Sequence, residues 1–160
     1  MKIAIHKNNT IYTQYWTEYC KQNNIEYKLV NAYDTNIIDI LADCDIFMWY
    51  FSHLDYRDMS FAKQLIFSLE ESGKIVFPNT KTCWHFDDKL GQKYLFESLD
   101  IQSAKAYAFY DKASALQWAK QQEYPKVFKL RGGAGSSNVM LARCYREAKK
   151  YINRAFGRGY

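Results

Sequence analysis

The chain has 160 residues, 48% of them apolar and 18% aromatic, enough to pack one ordinary domain or two small lobes and to exclude a disordered tail. No run approaches the roughly 18 apolar residues of a membrane span, and Lys2 leads into a short alternating segment rather than a signal-peptide hydrophobic region, so a cytoplasmic protein with no membrane partner is expected. The net charge of +5 conceals an asymmetry: residues 1–100 carry ten Lys/Arg against fourteen Asp/Glu, a balance of −4, and residues 101–160 carry twelve against three, a balance of +9. The basic end is where a polyanion would bind, although a solvated basic surface or a nucleic-acid patch has the same composition.

Lys2–Ile5 reads as a first strand, and Tyr12, Tyr15, Trp16, Tyr19 and Cys20 recur at helical spacing behind the caps Asn9 and Thr10. Residues 27–32 alternate as a strand does, and Asn36 can cap a short helix through Ala42. Ile46 to Phe51 is a continuous apolar run, which suits a parallel strand covered on both faces. Ala62, Leu65, Ile66 and Leu69 form a helical stripe stopped by Ser72-Gly73, and Ile75-Val76-Phe77 before Pro78 is a fourth strand. This alternation predicts an α/β fold with a doubly wound parallel sheet.

Beyond Asn79, Phe86, Leu90 and Tyr94 mark a helix to about Leu99, and Ser103 to Tyr110 alternates like a half-exposed strand. Asp111 caps a helix containing Ala115, Leu116 and Ala119. Pro125 ends that connection, and strands at 126–131 and 138–143 flank a Gly/Ser loop. Ala148, Tyr151, Ile152, Ala155 and Phe156 then define a last helix that buries Tyr151 and Phe156. The expected division is a domain at 1–100 and a second at 101–160. Cys20, Cys44, Cys83 and Cys144 form no C-x-x-C pair and His6, His53 and His85 are scattered, so neither a zinc site nor a disulfide framework is expected, and the thiols should be largely buried. Trp49, Trp84 and Trp118 are assigned to packing.

The stretch from Lys126 to Val139 carries the most chemistry. Gly132, Gly133, Gly135, Ser136 and Ser137 lie between apolar strands, where backbone N–H groups can approach an anion because no Cβ obstructs them. Lys129, on the entering strand, can point its ammonium at the same anion, and Arg131 can add a second cation. No lysine follows the glycines as in a Walker loop, and the pattern is not the G-x-G-x-x-G of a dinucleotide site. A hairpin whose glycines only make the turn is the bland alternative. Upstream, Phe86-Asp87-Asp88-Lys89-Leu90-Gly91-Gln92-Lys93-Tyr94-Leu95 opens a helix, with Asp87 and Asp88 placed to favour its dipole and cap it rather than to bind metal.

That helix, followed by strand, helix, strand, Gly-loop, strand and helix, resembles the ATP-grasp superfamily over Ile75 to Gly159, with RimK-like glutamate ligases and ATP-grasp proteins of polysaccharide clusters closest in kind. The resemblance implies a parallel-sheet pre-ATP-grasp domain followed by an α+β first ATP-grasp subdomain, with ATP as cofactor. By the same resemblance, Lys89 and Lys129 contact the nucleotide phosphates and the Gly132–Ser137 loop covers the β- and γ-phosphates. Such ligases activate a small carboxylate with ATP and join it to an amine or thiol. Their Mg²⁺ ligands come from a second half of the grasp fold, whereas the only acidic residue after Gly135 is Glu147. The expectation is therefore an ATP-binding front half of a ligase, incomplete for turnover alone and with Mg²⁺ joining only in a longer form. A non-catalytic nucleotide-binding module and, less favoured, a nucleic-acid-binding protein are the alternatives.

Overall fold

The computed structural model describes residues 1–133, 135 and 138–157. The chain forms two compact units, Met1–Trp84 and His85–Tyr160. Among the described residues no helix is long and apolar enough to cross a membrane.

The first unit is built on a four-stranded parallel sheet in the order β2-β1-β3-β4, with β1 at Lys2–His6, β2 at Glu26–Val30, β3 at Ile46–Met48 and β4 at Ile75–Phe77. Successive side chains leave a strand on opposite faces, so β1 serves two cores. Ile3 and Ile5 cluster with Cys20 of α1 (Ile11–Gln22) and with the half-buried Trp16, Ile25, Tyr27, Ile46 and Met48. Ala4, Phe47 and Val76 lie in register across the sheet and point to the other face. The buried stripe of α3 (Tyr56–Glu71), made of Ala62, Ile66 and Leu69, packs on β4. Thr10 caps α1 and Asp55 caps α3, while Ser72 ends α3 and Gly73 turns the chain at φ +86°.

Several local expectations are corrected. The expected helix forms as α1, with Cys20 and Trp16 turned to the core together with Thr13, while Tyr12, Tyr15 and Tyr19 are 44–61% exposed. Asn36 precedes α2 (Ile37–Ile40) without a side-chain capping bond. The apolar run from Ile46 stays in the sheet only to Met48, although Trp49 is fully buried beyond it. A short α4, Thr80–Cys83, follows β4 behind the cap Asn79. Cys20, Cys44 and Cys83 are buried free thiols, but Cys144 is exposed, and Trp84 keeps 44% exposure. The sequence also hid a buried carboxylate: Asp58 accepts the Ser52 N–H at 2.7 Å and the Tyr33 hydroxyl, which supplies the partners a buried charge requires. His6 is likewise buried, its Nδ1 accepting the Ala32 N–H at 3.0 Å, and burial lowers its pKa.

The second unit contains α5 (Lys89–Ser98), α6 (Lys112–Lys120), an antiparallel hairpin of β5 (Lys126–Lys129) and β6 (Val139–Ala142), and α7 (Tyr145–Ala155). Ala115, Ala119, Ala142, Ala148 and Ile152 form its core, ringed by Trp118, Phe128 and Met140 among others. The stretch 103–110 forms no strand. Tyr107 and Phe109 instead pack on the Trp118 ring at 4.8 and 5.2 Å, while residues 103–107 stay exposed. Phe156 is 36% exposed, whereas Ala148, Tyr151 and Ile152 hold α7 to the core.

Composition changes after residue 100, but the contacts divide at Trp84/His85 because the start of α5 is tied to the hairpin. Asp88 caps α5 by accepting the Leu90 and Gly91 N–H groups at 3.1 and 3.0 Å, and its other oxygen accepts from Arg131 Nη2 at 2.5 Å. The Lys89 N–H donates to the Arg131 carbonyl at 3.0 Å. The Arg131 guanidinium is the main cause holding the Asp88 carboxyl at a pKa of about 2.

Two stability outcomes follow from these contacts. Phe47→Ala, which empties a fully buried site, should cost about 3–5 kcal/mol in urea unfolding, whereas Tyr15→Ser on the exposed face of α1 should stay within about 0.5 kcal/mol. For Asp88 the folded pKa lies below the unfolded value of about 3.9, so its stabilisation is complete above that range and is lost as pH falls toward 2. Wild type should therefore lose more stability than Asp88→Asn between pH 5 and about 2.5, and equal acid slopes would show that Asp88 contributes nothing through its charge.

Candidate nucleotide-phosphate site

The site is built where the start of α5 meets the loop between β5 and β6. Asp87, immediately before the cap, adopts φ +53°, a left-handed conformation that Asp tolerates better than most residues. Its Oδ2 accepts the Gly133 N–H at 2.8 Å, and Lys89 Nζ lies 3.4 Å from its Oδ1. The Lys89 ammonium also donates to the Gly133 carbonyl at 2.7 Å. A lysine from a helix start and an amide from the loop thus converge on one carboxylate, in a spot where the Asp87 side chain keeps only 16% exposure.

The loop geometry explains the glycines. Gly133 has φ +101° and Gly135 φ +62°, both costly for any side chain, and a Cβ at Gly133 would lie 2.3 Å from Asn138 Nδ2. At Gly132 an added Cβ would meet Asp87 Oδ2 at an ordinary 3.6 Å. Asn138 braces the far side: its Nδ2 donates to the Gly132 carbonyl at 3.3 Å, and its own carbonyl accepts from Leu130 N–H at 3.2 Å and from the Tyr151 hydroxyl at 2.8 Å. Pairing with the loop was not readable for Asp87, since no short motif links residues 46 positions apart.

The structure therefore brings Lys89, Gly132 and Gly133 together. Arg131 borders the loop, but its guanidinium engages Asp88 while its side chain stays 70% exposed. Asp88 is the cap expected of it, whereas Asp87 faces the loop instead. Lys129 is exposed at the end of β5 and makes no hydrogen bond or ion pair among the described residues. It shares one hairpin face with Val127, Val139 and Leu141, which are 39–56% exposed. Gly135 is exposed, and Ser136 and Ser137 lie outside the described residues. Among the described residues no three His, Cys, Asp or Glu side chains gather to hold a metal, so none of them is assigned as a Mg²⁺ ligand.

These donors suit a phosphate. A backbone N–H and an ammonium group that donate to the two oxygens of a carboxylate can donate to two phosphate oxygens by the same charge-assisted bonds. No protein-family model matches the chain, and no curated protein matches it by sequence. Among solved structures, the chain is similar to a RimK-domain ATP-grasp protein from Sphaerobacter thermophilus DSM 20745, with a TM-score of 0.71 and 13% identity. The match covers 100% of this chain and 60% of that protein, so the chain spans less than two thirds of its length. The parallel sheet, the α5 start and the glycine hairpin thus belong to an ATP-grasp-like fold.

Proposed function

We propose that the chain is the nucleotide-binding portion of an ATP-grasp carboxylate–amine (or thiol) ligase, with ATP phosphates held by the α5 start and the β5–β6 loop. The observation that carries this is the convergence of Lys89 Nζ and the Gly133 N–H on a single carboxylate. Lys129 is within the hairpin face that would lie beside the nucleotide, and the apolar strip of Val127, Val139 and Leu141 offers a flat surface for a base. The similarity to a RimK-domain ATP-grasp protein supports the same reading at the level of fold.

In this role Lys89 neutralises phosphate charge and the loop amides fix the chain of phosphates, which positions it for transfer to a carboxylate. Mg²⁺, when bound with the nucleotide, would supply the remaining charge neutralisation. Glu147, the single acid after Gly135, already accepts the Arg143 N–H at 2.7 Å on the first turn of α7. These 160 residues are therefore expected to bind nucleotide without releasing ADP at a useful rate. The small carboxylate and amine substrates would be met by a longer assembly of the same ligase.

Calorimetry with ATP tests this reading. Lys89→Ala and Lys129→Ala should each weaken binding on the order of tenfold or more, since a charge-assisted contact contributes about 1.5–3 kcal/mol. Unchanged affinity in both variants would remove the site from this loop. Sustained, Lys129-dependent ADP release by wild type would instead show that the chain completes the reaction.

A further inference from the structure

We infer that Asp87 is a built-in competitor for the phosphate site, a carboxylate that occupies the loop donors until a phosphate chain displaces it. The inference rests on the phosphate-binding reading of the preceding section and adds a regulation of that site. Capping does not require Asp87, because Asp88 already accepts two N–H groups of the first turn of α5. Asp87 instead takes a left-handed backbone conformation at φ +53°, and this places its carboxylate on Gly133 and Lys89. Both donors that would face a phosphate are thereby engaged by an internal anion.

Two anions cannot share these donors without strong repulsion, so phosphate binding must expel the carboxylate. Lys89 also holds the Gly133 carbonyl at 2.7 Å, and Arg131 holds Asp88, so the loop is fastened to the start of α5 while Asp87 occupies it. A polyphosphate, with several charges and several acceptor oxygens, displaces Asp87 more effectively than a singly anchored anion. Apparent affinity is lowered by the fraction of molecules in which the internal carboxylate is in place.

The test compares wild type with Asp87→Asn and Asp87→Gly in the full 160-residue chain, with inorganic pyrophosphate as the probe in calorimetry and adenosine as the phosphate-free control. Asn keeps an acceptor and tolerates the left-handed backbone while removing the charge; Gly removes the side chain and relieves the backbone. Pyrophosphate should bind both variants on the order of tenfold more tightly than wild type, with adenosine unchanged. Should Asp87→Asn fail to show a cooperative thermal transition, Asp87→Gly carries the comparison. Wild-type binding with equal or weaker binding by the folded variants would overturn the competitor role and leave the phosphate site standing. Absence of pyrophosphate binding in all three proteins at millimolar probe would overturn the phosphate site and the competitor together.

Discussion

Gly133 is held at both of its backbone polar groups, its N–H by the Asp87 carboxylate and its carbonyl by the Lys89 ammonium. The rest of the second unit is arranged so that these two bonds can form. Asp88 fixes the first turn of α5, Arg131 latches that turn to the end of β5, and Asn138, itself held by Tyr151 of α7, shapes the opposite side of the loop. A half-buried amide such as the Gly133 N–H needs an acceptor, and here the acceptor is charged and internal.

The parts of the fold visible in the sequence are those where burial is one-sided. β4, α3 and α7 show their periods because each has one face against a core and one against water, whereas β1 is buried on both faces and shows only a short apolar run. The spacing in α1 reports the helix but not which face packs: Thr13, Cys20 and the half-buried Trp16 turn toward the core, and the three tyrosine rings remain outside. Residues 103–110 mislead differently: their apolar alternation is met by no ladder and no alternating burial, and only Tyr107 and Phe109 lean on the Trp118 ring.

At the site, residue types were legible and pairings were not. Glycines flanked by strands with a lysine before them are compatible with an anion cradle, and the lysine at the helix start joins them only through the ATP-grasp resemblance. Which acid of Asp87-Asp88 caps the helix and which reaches the loop depends on the backbone at Asp87, whose positive φ no composition shows. Likewise the occupation of Arg131 by Asp88 depends on a contact across 43 residues of chain. The Asp58 carboxylate in the first unit was hidden for the same reason, because its partners Ser52 and Tyr33 come from separate loops.

We propose that phosphate binds where α5 meets the glycine loop. The most direct measurement is a ¹⁵N–¹H NMR titration of the chain with ATP, following the amides of Gly132, Gly133 and Lys89. Saturable shifts centred on these amides and on Asp88 are expected, with the first-unit strands unmoved. Saturable binding that shifts other amides and leaves Gly132, Gly133 and Lys89 unchanged would contradict it.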